Sequence, residues 1–593
     1  MFKNRTTILL ALSILLTVKV VQGRSVSSLE KWNQAGTDKS AEDATTTPVA
    51  VSTLSDLLRY DGKGTVLVQD SLKGGLFHYS PNSAAAQVDS GMVYFWKQAE
   101  KVTNGGYWKR ELPASGKVKV SFWCKNDGSS DETYALRSAL TYAATSGRTL
   151  FFNSGDYHVS GNITEASSVK SSNLSIEFGD QVKITVTGTG KFTYPDNRVL
   201  LMYATSDIPH SFTMTGGKVE IDGKNFIQCA IRTGQIENLN KTLIINCELL
   251  CIKNCYSGSG DISNSYGIYT YGSYKNIKIR NVTIENINRD QTLNSLASQA
   301  MLIAHQGGKT LIENCIIENI GNELLTQDCD ALVVRGDNDK IGEFVNGDVT
   351  IRNCTFKNAR GRHIKGQSSN VKVYNCDFWQ TTMHFFSSGA SIDFQFGNGI
   401  AYGNSFHYPL VMGVSAFEGS AIPIHFQNRQ TGGKMVCVCT DNLVYAQSTF
   451  YSFISFTADG NTGAGSAELY CDHNQILPWD PTVRNILTRN LVEMRVDNLE
   501  AMPDSSVWSL HIRNNTVLTN GQLLSYTGCS GKDVSKKLKF EITGNKNTVK
   551  GSYLFSNMSG KLITSVKEYL VNNNSGWDSN FSPGFVENAA TGK

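Results

Sequence analysis

A phrase that keeps returning constrains this chain more than any other feature: a short alternating strand that closes on Asn or Asn-Cys. It reads Ile-Lys-Ile-Arg-Asn at 277–281, Thr-Leu-Ile-Glu-Asn-Cys at 310–315, Val-Thr-Ile-Arg-Asn-Cys at 349–354 and Val-Lys-Val-Tyr-Asn-Cys at 371–376, with an earlier copy ending at Cys247. Asn246, Asn281, Asn314, Asn353 and Asn375 lie 35, 33, 39 and 22 residues apart, and fainter copies follow at Asn404, Asn442, Asn474 and Asn514. A period drifting within roughly 20–50 residues marks a solenoid. Alternation puts Ile, Val and Cys inside and Lys, Arg, Glu and Thr outside. The closing Asn reads as a turn residue whose amide bonds to backbone or to the Asn of the next coil. Together these features predict an all-β chain, a right-handed parallel β-helix.

A solenoid absorbs 593 residues as one continuous core. With 55 basic and 52 acidic residues the chain is close to neutral, and no Lys/Arg run calls for nucleic acid or an anionic membrane. Lys3 and Arg5 ahead of an apolar Ile8–Val18 and a Val21-Gln22-Gly23 cleavage site read as a secretory signal at 1–23. That run is shorter than the ~20 residues a membrane span needs. The expected product is exported, secreted or held at the cell surface or in the periplasm. Thirteen Cys in such a protein would usually mean disulfides. Because Cys247, Cys315, Cys354 and Cys376 recur at one place in the repeat, stacked buried thiols are expected instead. The Asn-x-Ser/Thr sequons, such as those at Asn281 and Asn353, mostly fall inside the repeat and read as turn chemistry.

Residues 24–50 read as a polar leader, 51–115 as a small β-rich head, 116–560 as the helix and 561–593 as a terminal cap. Asp131 reads as the N-cap of an amphipathic helix carrying Tyr134, Leu136, Leu140 and Ala144 and ending at Gly147, which would cover the open N-terminal edge. The turn Asp127-Gly128-Ser129-Ser130-Asp131-Glu132-Thr133, this helix and Phe151-Phe152-Asn153-Ser154-Gly155-Asp156-Tyr157 resemble the opening of the pectate-lyase-like β-helix superfamily, with Glu132 where a second Asp is usual. The Gly-Gly-x-Phe-x-Tyr and Gly-x-Trp-Lys-Arg elements before it are similar to the head of phage tailspike depolymerases. The resemblance covers roughly 51–450. It implies the fold, a polysaccharide substrate and a homotrimer as one assembly; the chemistry varies among members.

A second strand precedes each Asn strand. Taking Ile268, Leu302, Ala331, Ile364, Phe394 and Phe426 as the inward equivalents gives spacings of 34, 29, 33, 30 and 32. Tyr269, Tyr271, His305, Asp328, Asp330, His363, Lys365, Asp393, Gln395, His425 and Gln427 then face out on coils about 4.8 Å apart. Asp328, Asp330 and Asp393 are the candidate catalytic residues. Arg362, His363, Lys365, His305, Gln395, Tyr269, Tyr271 and His425 are candidates for gripping a sugar chain.

The expected function is a glycoside hydrolase working with paired Asp residues, with a polysaccharide lyase as the alternative. Hydrolysis of a glycosidic bond needs one protonated and one ionised carboxyl. Neighbouring Asp residues split their pKa values and can supply both. That reading resembles polygalacturonases, with Arg362-His363-Ile364-Lys365 as the basic strand, although no Gly-His-Gly lies between the two strands. It predicts that Asp330→Asn leaves the fold intact while cleavage is lost. Elimination needs a base next to a uronate carboxyl and a cation to neutralise it. Lys365 with Gln367-Ser368-Ser369-Asn370 resembles the catalytic strand of β-helix alginate lyases. No cofactor is expected for hydrolysis; a lyase could use Ca²⁺, for which Asp337-Asn338-Asp339 with Glu343 is the candidate turn. The third reading is a solenoid that binds carbohydrate or only builds structure.

Overall fold

The computed structural model describes residues 48–581 apart from 61, 82–89, 96–105, 113–115, 165–172, 193–197, 204–210, 234–240, 259–263, 272–273, 291–296, 305–307, 322–328, 337–346, 368–369, 382–389, 410–421, 429–431, 448–449, 459–463, 483–486, 497–504, 528–536 and 558–567. The signal segment and nearly all of the leader lie outside the described residues. So do His305, Asp328 and the Asp337–Glu343 turn.

The chain is a parallel β-helix in which each coil lays one strand on each of three sheets. One coil runs Ile364–Gln367, Asn370–Tyr374 and Asp377–Trp379, and the next runs Ala390–Gln395, Gly399–Tyr402 and Ser405–Tyr408. Successive strands pair in parallel on every sheet. We call these the first, second and third sheets. The repeated Asn phrase is the second sheet, and the strand before it is the first.

The turn from second to third sheet explains the phrase. Asn281, Asn314, Asn353 and Asn375 have φ of 55°, 55°, 54° and 49°, a left-handed conformation that Asn tolerates better than most residues. The residue after it points into the core: Val282, Cys315, Cys354 and Cys376 are all buried. Further along, Gly403, Asp441, His473, Asn514 and Gly544 take the left-handed position, and the buried follower becomes Asn404, Asn442, Asn474, Asn515 and Asn545. Asn404, Asn442 and Asn474 thus stand one place later than the repeat suggested. Asn246 lies within a continuous strand, paired to Arg280.

The twelve described cysteines are free thiols, eleven of them buried. Cys354 Sγ lies 3.5 Å from the Cys315 backbone N, so neighbouring coils do stack these thiols; Cys247 is separated from them by the Val282 coil.

The helix Thr133–Ser146 buries Leu136, Ala139, Leu140, Ala143 and Ala144 and ends on Gly147 at φ 66°. Asp131 Oδ1 accepts from Thr133 N at 3.0 Å. Glu132 instead takes two loop N–H groups, Lys125 N at 2.5 Å and Asn126 N at 3.0 Å. Before it, strands Val49–Val51, Thr65–Val68, Gly75–Ser80, Val93–Phe95 and Tyr107–Arg110 form a separate sheet over Leu57, Val66, Val68, Phe77 and Trp108. At the far end, Glu568–Asn572 and Ser575–Phe581 still pair onto the preceding coil, so the described part of the stretch expected to be a cap continues the solenoid. No helix among the described residues is long and apolar enough to cross a membrane.

Candidate functional site

The first sheet carries the site, and its register corrects the expected one. Ile268, Met301, Leu332, Ile364, Ile392 and Ile424 form one interior column. Phe394 and Phe426 stand two places along, stacked with centroids 4.9 Å apart. Leu302 does not belong inside: it is the register partner of Tyr269 and Val333. Ala331 precedes its strand, Leu332–Arg335. The runs Met301-Leu302-Ile303 and Leu332-Val333-Val334 are apolar on both faces, so alternation could not show which side was which.

The outward column therefore reads Tyr269, Leu302, Val333, Lys365, Asp393, His425, Ser455 and Glu493. Lys365, Asp393 and His425 are neighbours on consecutive coils. Tyr269 is four coils from Asp393, roughly 19 Å at ~4.8 Å per coil. Its ring stacks on Tyr266 at 5.0 Å with Arg232 over it at 5.0 Å. Tyr271 is half-buried one column further along.

Asp393 is the centre of the contacts, and only 1% of it is exposed. Its Oδ2 lies 2.7 Å from Arg362 Nε and accepts from Gln395 Nε2 at 2.6 Å, while Oδ1 lies 3.0 Å from His425 Nδ1. Burial alone would raise its pKa, but His425, Arg362 and Lys365 together hold it well below the usual carboxylate range. Gln367 Nε2 donates to Gln395 Oε1 at 2.7 Å. On the other side of the imidazole, His425 Nε2 and Thr457 Oγ1 are 2.9 Å apart. His425 thus stands between the Asp393 carboxylate, a close charge contact, and the Thr457 hydroxyl, a hydrogen-bond partner.

Two candidates have different surroundings from those expected. Asp330 is fully buried, and its Oδ1 accepts from Arg362 N at 3.0 Å and Nη1 at 3.2 Å. Arg362 thus binds both Asp330 and Asp393, so this pair is no exposed acid and base, and Asp330 has a structural duty after all. His363 turns inward just ahead of its strand, breaking alternation, between Phe356 and Phe378 at 6.4 and 5.6 Å. Its Nδ1 meets Ser391 Oγ at 3.1 Å, and burial pushes its pKa down to about 3. It cannot grip a sugar. Sequence reading missed Thr457, because a Thr in a strand carries no signal until the coil below places His425 beside it.

Among the described residues no three His, Cys, Asp or Glu side chains converge as metal ligands. Two surface hollows, about 620 Å³ beside Asp156, Lys183 and Glu220 and about 250 Å³ beside Asp348 and Lys372, hold none of the candidate residues.

Residues 117–384 match the family model described as rhamnogalacturonase A/epimerase, pectate lyase-like. This part of the chain is similar to that pectate-lyase-like family. The matched stretch includes Asp330, Arg362 and Lys365 and stops short of Asp393, His425 and Thr457. No curated protein matches the chain. Among solved structures it is similar to the tailspike gp49 of Acinetobacter baumannii bacteriophage Fri1, a capsular polysaccharide depolymerase, at 12% identity and TM-score 0.36, covering 89% of this chain and 75% of that one. It is similar to WceF of Pantoea stewartii, a glycan biofilm modifying enzyme, at 10% identity and TM-score 0.33, covering 72% of this chain and 47% of that one. It is also similar to PfbA, a surface adhesin of Streptococcus pneumoniae, at 13% identity and TM-score 0.32, covering 78% and 93% respectively.

Proposed function

We propose that the chain is an exported polysaccharide-cleaving enzyme and that cleavage takes place over Lys365, Asp393, His425 and Thr457. The observation that carries this is the Asp393 Oδ1 to His425 Nδ1 contact of 3.0 Å, with Lys365 on the adjacent coil. An ionised Asp393 fixes the hydrogen on Nδ1 and leaves the lone pair on Nε2, which is the arrangement of a general base. Thr457 holds that nitrogen in the free protein. Such a base fits β-elimination on a uronate-containing polymer. His425 takes the proton beside the carboxyl and Lys365 offsets the charge that develops on it. The electron pair forms the new double bond as the bond to the leaving oxygen breaks, and solvent water gives that oxygen its proton. Arg362 and Gln395 act as positioning residues through Asp393.

Hydrolysis is the second reading, favoured by the same Asp393–His425 contact, in which His425 activates water in place of a sugar C–H. Asp330 is tied to Arg362, so Asp328 would then supply the acid.

Incubation with polygalacturonate, alginate and a neutral β-glucan separates the readings. Elimination generates an unsaturated sugar with ultraviolet absorbance; hydrolysis generates reducing ends without it. His425→Ala should lower kcat by about 10³-fold, and Lys365→Ala should mainly raise KM. Asp330→Asn should lower the melting temperature, since breaking a buried pair costs about 3–5 kcal/mol. Wild-type turnover in His425→Ala would move the chemistry off this face.

A further inference from the structure

The third sheet carries a ladder of rings on the same coils as the site. Trp379, His407 and Tyr445 are register partners on consecutive coils. Their inward neighbours Phe378, Phe406 and Val444 fill the core, so alternation turns the three rings outward. Trp379 and His407 stack at 4.0 Å and 10°, His407 and Tyr445 at 5.6 Å and 14°. Trp479, next after the strand Gln475–Pro478, stands nearly perpendicular to the first two, 6.0 Å from Trp379 at 80° and 6.2 Å from His407 at 86°. Nearly equal distances to two stacked rings place it against their edges. Its backbone N donates to Ala446 O at 2.6 Å, which fixes its position.

The stacked rings spend their faces on one another, whereas Trp479 is 42% exposed. A carboxylate edges the group: Asp377, with its side chain 51% exposed, lies 3.7 Å from His407 Nε2, while Asp480, next after Trp479, turns its Oδ1 to Thr482 N and Oγ1 at 2.8 Å. A flat apolar surface edged by hydrogen-bond acceptors matches a pyranose, which has an apolar C–H face and a rim of hydroxyl donors. A protein partner fits less well. A stable interface buries about 800 Å² per side and keeps carboxylates out of its centre, whereas this group offers one exposed indole beside the exposed Asp377.

We propose that Trp479, backed by the Trp379–His407–Tyr445 ladder and edged by Asp377, is a carbohydrate-binding surface that holds the polymer away from the Asp393–His425 site. It relies on the polysaccharide reading for its ligand class but not on any cleavage chemistry, and a His425→Ala background keeps the two separate. Electrophoresis of that variant through gels containing polygalacturonate, alginate, xylan or a mixed-linkage β-glucan should show retardation by at least one polymer. Adding Trp479→Ala should weaken that retardation at least tenfold in apparent Kd, and Trp479→Phe should restore most of it. Melting temperatures of the variants should match that of the background, because the ring is exposed. Equal retardation of the Trp479→Ala variant, or no retardation of the background by any of the four polymers, overturns the proposal. A change in oligomeric state with retardation unchanged assigns the ring to a subunit contact and overturns it equally.

Discussion

His363 shows how one side chain can be misplaced by a correct rule. Alternation from Ile364 would send it outward, yet it precedes the strand and packs between Phe356 and Phe378. The cost appears with pH. An unfolded histidine titrates near 6.5, whereas the folded one titrates near 3. Between those values the unfolded chain binds more protons, so stability falls as pH falls, by about 1.4 kcal/mol per unit at most. His363→Gln keeps a group that can reach Ser391 and removes the titration. Denaturant melts from pH 7 to 4 should show a shallower loss of stability in this variant than in the parent. Parallel curves would mean that another group sets the slope. Asp393 works in the opposite window: its depressed pKa adds stability that is present above about pH 4 and lost only as pH falls further.

Among elements, the turn between second and third sheets has two solutions within one helix. Early coils place Cys after the left-handed residue and late coils place Asn. The Asn side chains form a ladder. Asn474 Nδ2 donates to Asn515 Oδ1 and to Cys439 O, both at 2.9 Å, while its Oδ1 accepts from Asn442 N and Nδ2, both at 3.0 Å. Asn474→Ala leaves buried donors and an acceptor unpaired, each costing roughly 1–3 kcal/mol, so a loss of about 3 kcal/mol is expected. Cys354→Ala at the equivalent place should cost only about 1 kcal/mol, mostly lost packing. Chemical denaturation of the two variants tests this, and equal losses would show that the ladder adds nothing beyond volume. The Asn-Cys phrase was legible because the left-handed turn recurs at a fixed place. The Asn ladder was half legible, seen as repeats but not as side chains facing in.

Across the whole molecule, stability depends on covering the first coil. A solenoid leaves backbone groups and apolar side chains open at its end, and terminal caps are required for solubility. Here the helix Thr133–Ser146 packs Leu136 and Leu140 into the common core. The head joins on through Arg110, whose guanidinium lies 3.8 Å from the Phe122 ring centre and donates to Gly74 O at 2.6 Å and Lys73 O at 2.9 Å. Leu140→Asp buries a charge in that cap and should yield aggregated protein in size-exclusion chromatography. Tyr134→Ser on the exposed face should elute as the parent does. A monodisperse Leu140→Asp protein would show that the cap is dispensable.

The sequence by itself determined the solenoid, its period, the helix Thr133–Ser146 and the outward placement of Lys365, Asp393, Gln395 and His425. These rest on local rules, alternation within a strand and residue choice at a turn, which repetition makes readable. Only the tertiary structure decided the first-sheet register, where apolar residues fill both faces, and the partners that set each charge. That Arg362 neutralises both Asp330 and Asp393, and that Thr457 meets His425, depends on which residues adjacent coils bring within 3 Å. Those neighbours are about thirty residues apart in the chain, and no local pattern records the pairing.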